Sequence, residues 1–126
     1  MVKLTFCVRR LASLSPEEFH RYWRDEHGPL VARHAETLRI RRYVQTHALP
    51  GLVGDALRAS RGAAEPFDGI AELWWDDLET LAAATTSNAG RAASQLLLDD
   101  ERRFIDLAGS ALWLNEEHVV VGGTHA

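Results

Sequence analysis

The chain has 126 residues, of which 46% are hydrophobic and 25% are charged, and this is the size and composition of one globular domain. Its 14 basic and 18 acidic residues give a net charge of -4, which opposes binding to nucleic-acid phosphates and to anionic lipid. A single cysteine excludes an intrachain disulfide and a multi-cysteine zinc site. We expect one domain over residues 1–126, located in the cytoplasm, with no leader segment and no nucleic-acid or membrane partner.

The first elements in chain order are a strand and a capped helix. Apolar and polar residues alternate from Val2 to Val8, which predicts a half-buried strand over 2–10. Ser15-Pro16-Glu17-Glu18 combines an N-cap serine, a proline in the first turn and a glutamate three residues after the cap, so a helix begins here. Gly28-Pro29 predicts an end or a kink, followed by a short helix to about residue 36.

One residue interrupts an apolar stripe on this helix. Phe19, Trp23, His27 and Leu30 follow one another at spacings of four, four and three, so they share one helical face. A histidine at this place is either a core residue that bonds a backbone carbonyl freed at the bend, or a functional group. The residues alone leave both interpretations open.

The middle of the chain predicts two further strands around a long connection. Residues 39–48 alternate, with Arg41, Tyr43, Gln45 and His47 on one face, and residues 70–75 form the next strand. The segment 51–66 between them is long for a loop, could contain a short helix over 52–58, and could serve as a lid or a dimer contact. Consecutive strand residues face opposite ways, so one of Trp74 and Trp75 faces the helices and the other a partner; the sequence does not say which.

The last third predicts two helices and a final strand. Asp76-Asp77 can cap a helix that extends to about residue 85, Asn88 and Gly90 break the pattern, and a longer helix covers 92–107. A fourth strand is expected over 111–121, followed by a frayed tail at 122–126. Trp23 and Trp113 are expected to fill the core.

The order β-α-β-β-α-β predicts an α+β, ferredoxin-like fold, in which a four-stranded antiparallel sheet carries its helices on one face. The other face would be a large exposed apolar patch, formed by residues such as Phe6 and Val8 or by their counterparts on the other strands. Such a patch is typical of a twofold interface, so we expect a homodimer.

Sequence motifs give no local support for a metal or an organic cofactor. The six histidines include no pair at the three- or four-residue spacing that places two ligands on one helical face. Glycine-rich phosphate loops and the Gly-x-Ser-x-Gly nucleophile turn are also missing. We therefore expect no metal and no cofactor.

Four stretches resemble the EthD family. They are 14–31 (LSPEEFHRYWRDEHGPLV), 42–47 (RYVQTH), 67–74 (FDGIAELW) and 99–107 (DDERRFIDL). The resemblance therefore spans nearly the whole chain. It implies the dimeric α+β barrel fold and a small-molecule substrate. Relatives in the wider superfamily include polyketide dehydratases and cyclases, muconolactone isomerases and cofactor-independent monooxygenases, and fold alone does not choose among them.

The resemblance also implies site residues. The histidine of the family's helix motif corresponds to His27, the aromatic residue of its second strand to Tyr43, and two further matches to Gln45 and His47; Thr46 stands where many relatives have asparagine. We expect His27 and Tyr43 to be catalytic. The expected substrate-binding residues are Trp23, Gln45, His47 and Trp74.

The predicted function is a lyase or isomerase, of the dehydratase or cyclase type, that acts on an aromatic, polyketide-like or lactone carbonyl compound. His27 would move the proton next to the carbonyl, and Tyr43 would donate a hydrogen bond to the developing enolate. Two alternatives stay open: a cofactor-free monooxygenase of the same superfamily, and a non-catalytic dimer that binds a small molecule. An RNA-recognition domain shares the element order, but the acidic chain lacks its aromatic strand motif.

Overall fold

The computed structural model describes residues 1–123, so the predicted frayed tail lies outside the described residues from 124 onward. The strands are β1 (Val2–Val8), β2 (Arg42–His47), β3 (Gly69–Trp75) and β4 (Ala111–Asn115). The helices are α1 (Pro16–Tyr22), α2 (Gly28–His34), α3 (Leu52–Arg61), α4 (Leu78–Thr86) and α5 (Asn88–Glu101), with a single π-helical turn at Trp23–His27 between α1 and α2.

The four strands form one antiparallel sheet in the order β2-β3-β1-β4. In the register, Phe6 lies opposite Ala71 on one side and Leu112 on the other, while Gln45 lies opposite Ala71 from β2. This arrangement confirms the predicted ferredoxin-like α+β fold. Dimerisation remains a prediction.

The helix capped by Ser15 continues through Gly28-Pro29, where the sequence predicted an end or a kink, and its regular geometry is interrupted there by the π turn. Ser15 accepts a hydrogen bond from the Glu18 backbone and Glu18 bonds back to Ser15, which completes the predicted capping box. Pro29 has no N–H and its ring crowds the carbonyl of Asp25, so a regular α-helix cannot pass this point. The chain instead widens into the π turn, where Gly28 donates to the Trp23 carbonyl, and α2 follows directly.

Several predicted boundaries are wrong. β1 ends at Val8, β2 begins at Arg42, and β4 ends at Asn115, so residues 116–121 are not strand. The connection predicted over 51–66 contains the ten-residue helix α3, which ends at Gly62 in a left-handed conformation.

The predicted break between two helices is present at Ser87, but the second helix, α5, begins at Asn88 rather than at 92. Ser87 accepts a hydrogen bond from the Gly90 backbone and so caps the helix. A side chain at Gly90 would collide with the Ala84 carbonyl, which shows that this glycine lets α4 and α5 approach closely. α5 ends at Glu101 rather than at 107.

The core lies between the helices and one face of the sheet. Phe19, Trp23 and Phe104 are fully buried there, and Val8 and Phe6 from β1 pack against them. Phe6 and Val8 therefore belong to the helix-covered face. The open face is formed by the alternate residues of β1 and by their neighbours on the other strands. Trp113 lies on that open face and is 47% exposed, so its predicted place in the core is wrong.

Candidate functional site

A cavity of about 220 Å³ lies between the helices and the helix-covered face of the sheet. The π turn, α2, α4 and α5 form one wall, and side chains from all four strands form the other. Most of the surface is apolar, and no Lys or Arg of residues 1–123 lines it. Apart from two indoles, the polar side chains that line it are His27, Tyr43, Thr85, Ser94 and Glu101.

His27 is buried and is held by a carboxylate from the far end of α5. Its Nδ1 lies 2.7 Å from Oδ2 of Asp100, and the second oxygen of Asp100 accepts a hydrogen bond from the Tyr22 hydroxyl. Because a carboxylate only accepts hydrogen bonds, the histidine proton sits on Nδ1. The other ring nitrogen, Nε2, has no partner among residues 1–123 and is left for a molecule in the cavity.

The protonation state of His27 follows from its surroundings. Burial lowers the pKa of His27 below its ordinary value of 6.5, and this effect outweighs the hydrogen bond and charge of Asp100, which raise it. The imidazole is therefore neutral near pH 7. A neutral ring with its proton fixed on Nδ1 is a base at Nε2, which is the arrangement that general-base catalysis requires.

The π turn explains how His27 reaches this position. Trp23 and His27 are both buried ends of that turn, and the ring of His27 packs 4.9 Å from the ring of Phe104. Trp23 and His27 therefore lie on one face of the helix, as predicted, and that face lines the cavity, while the bend is a π turn. π turns inside α-helices occur frequently at functional sites.

Tyr43 lines the cavity from β2, on the face predicted by alternation. Its oxygen accepts a hydrogen bond of 2.9 Å from Nε2 of Gln45. The hydroxyl proton is therefore free to point elsewhere, and the cavity is the space in front of it. Burial raises the pKa of Tyr43 above 10, although hydrogen bonds from Gln45 and Trp23 oppose this, so the phenol stays protonated and acts as a donor.

Gln45 and His47 lie behind Tyr43 and do not line the cavity. Nε2 of Gln45 also donates to the Trp23 carbonyl at 2.8 Å, which fixes the orientation of the amide, and its Oε1 accepts from Nε2 of His47 at 2.8 Å. The remaining nitrogen of His47 lies 2.7 Å from Nδ1 of His20, which must donate. The structure thus gives both residues a role in orienting Tyr43 rather than a contact with the cavity.

The ring of His47 is partly buried between two aromatic neighbours. Its centroid lies 4.4 Å from that of Trp23 and 4.8 Å from that of His20, and both contacts are tilted. Burial lowers the pKa of His47, with smaller contributions from the charges of His20 and Arg24. The neutral form that the hydrogen-bond chain requires is therefore the favoured one.

The two neighbouring tryptophans of β3 face opposite ways. Trp75 lines the cavity, and its indole donates to the Leu38 carbonyl at 2.7 Å. Trp74 lies on the open face, beside Lys3 and Arg42, and its indole donates to Glu117. Trp74, which was predicted to bind the substrate, therefore does not line this cavity, whereas Trp75 and Trp23 do.

Two acidic residues at the end of α5 belong to the site and were not predicted from the sequence. Asp100 supports His27, and Glu101 lines the cavity itself. Burial, with a smaller effect of the Asp100 charge, raises the pKa of Glu101 to about 7. The only local signal was the run of three consecutive acidic residues, Asp99, Asp100 and Glu101, at a helix C-terminus, where acidic side chains are disfavoured by the helix dipole.

Two observations bear on cofactors and membranes. Within residues 1–123, no three His, Cys, Asp or Glu side chains are arranged to hold a metal ion. None of the helices in the same part of the chain is long and apolar enough to span a bilayer.

Comparison with known proteins identifies the family. Residues 11–108 match the EthD domain, so the chain belongs to the EthD family, as its sequence motifs indicated. A solved EthD (ethyl tert-butyl ether degradation) family protein from Bacillus halodurans shares 20% identity over 94% of this chain and 99% of its own, with a TM-score of 0.63. No curated protein matches this sequence.

Two more distant structures share the fold. A dimeric ferredoxin-like protein of unknown function from Bacteroides fragilis is 14% identical over 92% of this chain and 95% of its own, with a TM-score of 0.57. A candidate antibiotic biosynthesis monooxygenase from Deinococcus radiodurans is 12% identical over 99% and 100%, with a TM-score of 0.53. Likeness at this level of identity shows the fold alone.

Proposed function

We propose that this EthD-family protein is a cofactor-independent lyase or isomerase, of the dehydratase or cyclase type, that acts on an aromatic, polyketide-like or lactone carbonyl compound. The observation that carries the proposal is the buried His27–Asp100 pair, which leaves a basic nitrogen at an apolar cavity that also holds the Tyr43 phenol. These are the groups that proton removal next to a carbonyl requires.

The chemistry has two steps for a β-hydroxy carbonyl substrate. Nε2 of His27 takes a proton from the carbon next to the carbonyl, and the electron pair moves onto the carbonyl oxygen, where Tyr43 donates a hydrogen bond. The electron pair then returns to form the carbon–carbon double bond, and the hydroxyl group leaves as water with a proton from an acidic group of the cavity, which the proton held by His27 then replaces. In an isomerase, His27 would instead return the proton to another carbon.

The size of the cavity favours a small ligand. An apolar cavity of about 150 Å³ is sufficient for benzene, whereas drug-sized ligands occupy about 300 to 1,000 Å³. At about 220 Å³, the cavity fits one substituted ring better than a fused polycyclic product. We therefore expect a substrate with a single ring.

The test uses a single-ring β-hydroxy ketone, the adduct of benzaldehyde and acetone, whose dehydration gives a conjugated ketone that absorbs in the ultraviolet. The wild-type protein should accelerate this dehydration, and His27→Gln should lower the rate by about 10² to 10⁴. His118→Gln is the matched control, because this histidine is 78% exposed in its side chain and lies after β4. Equal rates in the wild type and His27→Gln would refute the proposed role of His27.

A cofactor-free monooxygenase is the second candidate. It is favoured by the apolar cavity and by the likeness to the Deinococcus radiodurans protein. In this reaction a ring CH2 group, deprotonated by His27, would react with O2 to give C=O and one water. A single-ring probe with such a CH2 group, 1,3-cyclohexanedione, and an oxygen electrode separate the two reactions. Oxygen uptake that depends on His27 supports the monooxygenase, and anaerobic turnover of the β-hydroxy ketone supports the lyase or isomerase.

We also propose that two copies pair through the open face of the sheet. This face carries Trp74, the half-exposed Trp113 and the 2.7 Å ion pair between Lys3 and Glu72. The dimeric Bacteroides fragilis protein of the same fold supports the pairing. Light scattering should give twice the 14.1 kDa chain mass, and a stable monomer at micromolar concentration would refute it.

A further inference from the structure

Glu101 is a carboxyl group at the cavity that the proposed chemistry has not yet used. It is the last residue of α5 and lines the cavity, and its carboxyl group has no hydrogen-bond or ion-pair partner within residues 1–123. A carboxyl group that lines an apolar cavity beside a histidine and a phenol is a candidate functional group. Its neighbour Asp100 is turned away, toward His27.

The groups around Glu101 define what it can do. The cavity brings it together with His27 from the π turn and Tyr43 from β2, while Asp100 precedes it on α5. No lysine or arginine of residues 1–123 lines this cavity to neutralise it. Burial is the main cause of the raised pKa of Tyr43, and the charge of Glu101 adds to it.

We propose that Glu101 is the second catalytic acid–base group of the cavity, which gives a proton to the leaving oxygen while His27 removes one from carbon. The inference rests on the proposed function. The imidazolium formed at His27 can return its proton only to an atom within reach of Nε2, whereas Glu101 enters the cavity from α5 and supplies a proton donor at a second position. Glu101 in its acid form loses a proton to the departing hydroxide, which becomes water, and the carboxylate then recovers a proton from the His27 imidazolium. With a pKa of about 7, the carboxyl group is suited to both steps.

The inference also names the ligand class. An anionic ligand would meet a carboxylate and no cation in the cavity, so the substrate is uncharged and carries two oxygen functions, one for Tyr43 and one for Glu101. A carboxylate or phosphate group on the substrate would have to remain outside the cavity.

The experiment separates the two proton transfers with two probes. Phenylacetone has an acidic carbon but no leaving group, and its exchange of protons in D2O reports the His27 step alone. The benzaldehyde–acetone adduct reports the complete elimination. Glu101→Gln should leave the exchange rate within about twofold and lower the elimination rate by about 10² to 10⁴. Asp99→Asn is the control, because Asp99 lies on the same helix end and its side chain is 55% exposed.

The outcomes distinguish the inference from the proposed function. Elimination by Glu101→Gln at the wild-type rate would overturn the role of Glu101 and leave His27 chemistry intact. Exchange that His27→Gln does not slow would overturn the proposed function and, with it, the division of roles.

A binding measurement tests the placement of Glu101 without any turnover. Benzamidine and benzamide have the same shape, but only benzamidine is a cation. The affinity of the wild type for benzamidine should rise about tenfold or more between about pH 5.5 and about pH 8.5, as Glu101 ionises, and that for benzamide should stay constant. Glu101→Gln should abolish the rise. A flat benzamidine profile in the wild type would overturn the inference whatever the rates show.

Discussion

The buried carboxyl group of Glu101 should make the stability of the folded chain depend on pH in a way that one substitution removes. Burial raises the pKa of Glu101 from an ordinary 4.5 to about 7. At about 1.4 kcal/mol for each pH unit, this difference corresponds to about 3 kcal/mol, the free energy by which ionisation of Glu101 would weaken the folded state. Glu101→Gln keeps the size and shape of the side chain and cannot ionise.

The sign follows from where the proton is held. Between about pH 4.5 and about pH 7 the folded chain keeps the Glu101 proton and the unfolded chain has lost it, so stability falls as the pH rises through this range. Below it both states are protonated, and above it both are ionised and the loss is complete. Relative to the wild type, Glu101→Gln should therefore gain up to about 3 kcal/mol between pH 4 and pH 8.

Urea unfolding at a series of pH values measures this difference directly. The control is Glu36→Gln, which removes one negative charge at an exposed position beyond α2. If the wild type and Glu101→Gln lose stability in parallel from pH 4 to pH 8, then water already solvates the carboxyl group, and the cavity does not hold it in an apolar setting.

Three further predictions test the site. Asp100→Asn should lower the pKa of His27 further, because the hydrogen bond and charge that raise it are lost, and NMR titration of the imidazole protons measures the change; an unchanged or higher pKa would contradict the pairing. Tyr43→Phe should retain the fold and slow the elimination by about 10² to 10³, as loss of an oxyanion donor does, and an unchanged rate would remove Tyr43 from the mechanism. Gly69→Ala should lower the unfolding free energy by about 1 to 3 kcal/mol, because the added methyl group would lie 2.5 Å from the Trp23 ring, and urea unfolding decides it.

The parts of the site that local periodicity encodes were predictable. The apolar stripe on the first helix placed Trp23 and His27 on one face, and alternation in β2 placed Tyr43, Gln45 and His47 on one face, and the structure has both. Periodicity says which residues share a face and not which face is covered. The sequence therefore did not show which of the two alternating sets of β3 side chains faces the helices, and Trp74 was assigned to the cavity in place of Trp75.

The acidic half of the site could not be predicted, because it depends on packing between distant segments. Asp100 lies 73 residues after His27 in the chain, and only the contact of α5 with the π turn brings them together. The start of α5 was predicted wrongly for a related reason. Glycine commonly interrupts helices, yet Gly90 lies inside α5, where its lack of a side chain permits the close approach to Ala84. Both features arise from tertiary contacts that override the local preference.

The hydrogen-bond chain behind Tyr43 gives the last prediction, which concerns the direction of a single proton. The Gln45 amide cannot turn round, because Trp23 supplies a carbonyl on one side and His47 supplies an N–H on the other, so its nitrogen must donate to Tyr43. Gln45→Glu replaces that nitrogen with an oxygen, and the phenol would then donate to the new carboxylate instead of to the cavity. The elimination rate should fall as far as in Tyr43→Phe, although the hydroxyl is still present, and combining the two changes should cost little more than either alone. Additive losses would show that Gln45 and Tyr43 act independently, and that the orientation of the phenol proton is not what the chain of hydrogen bonds controls.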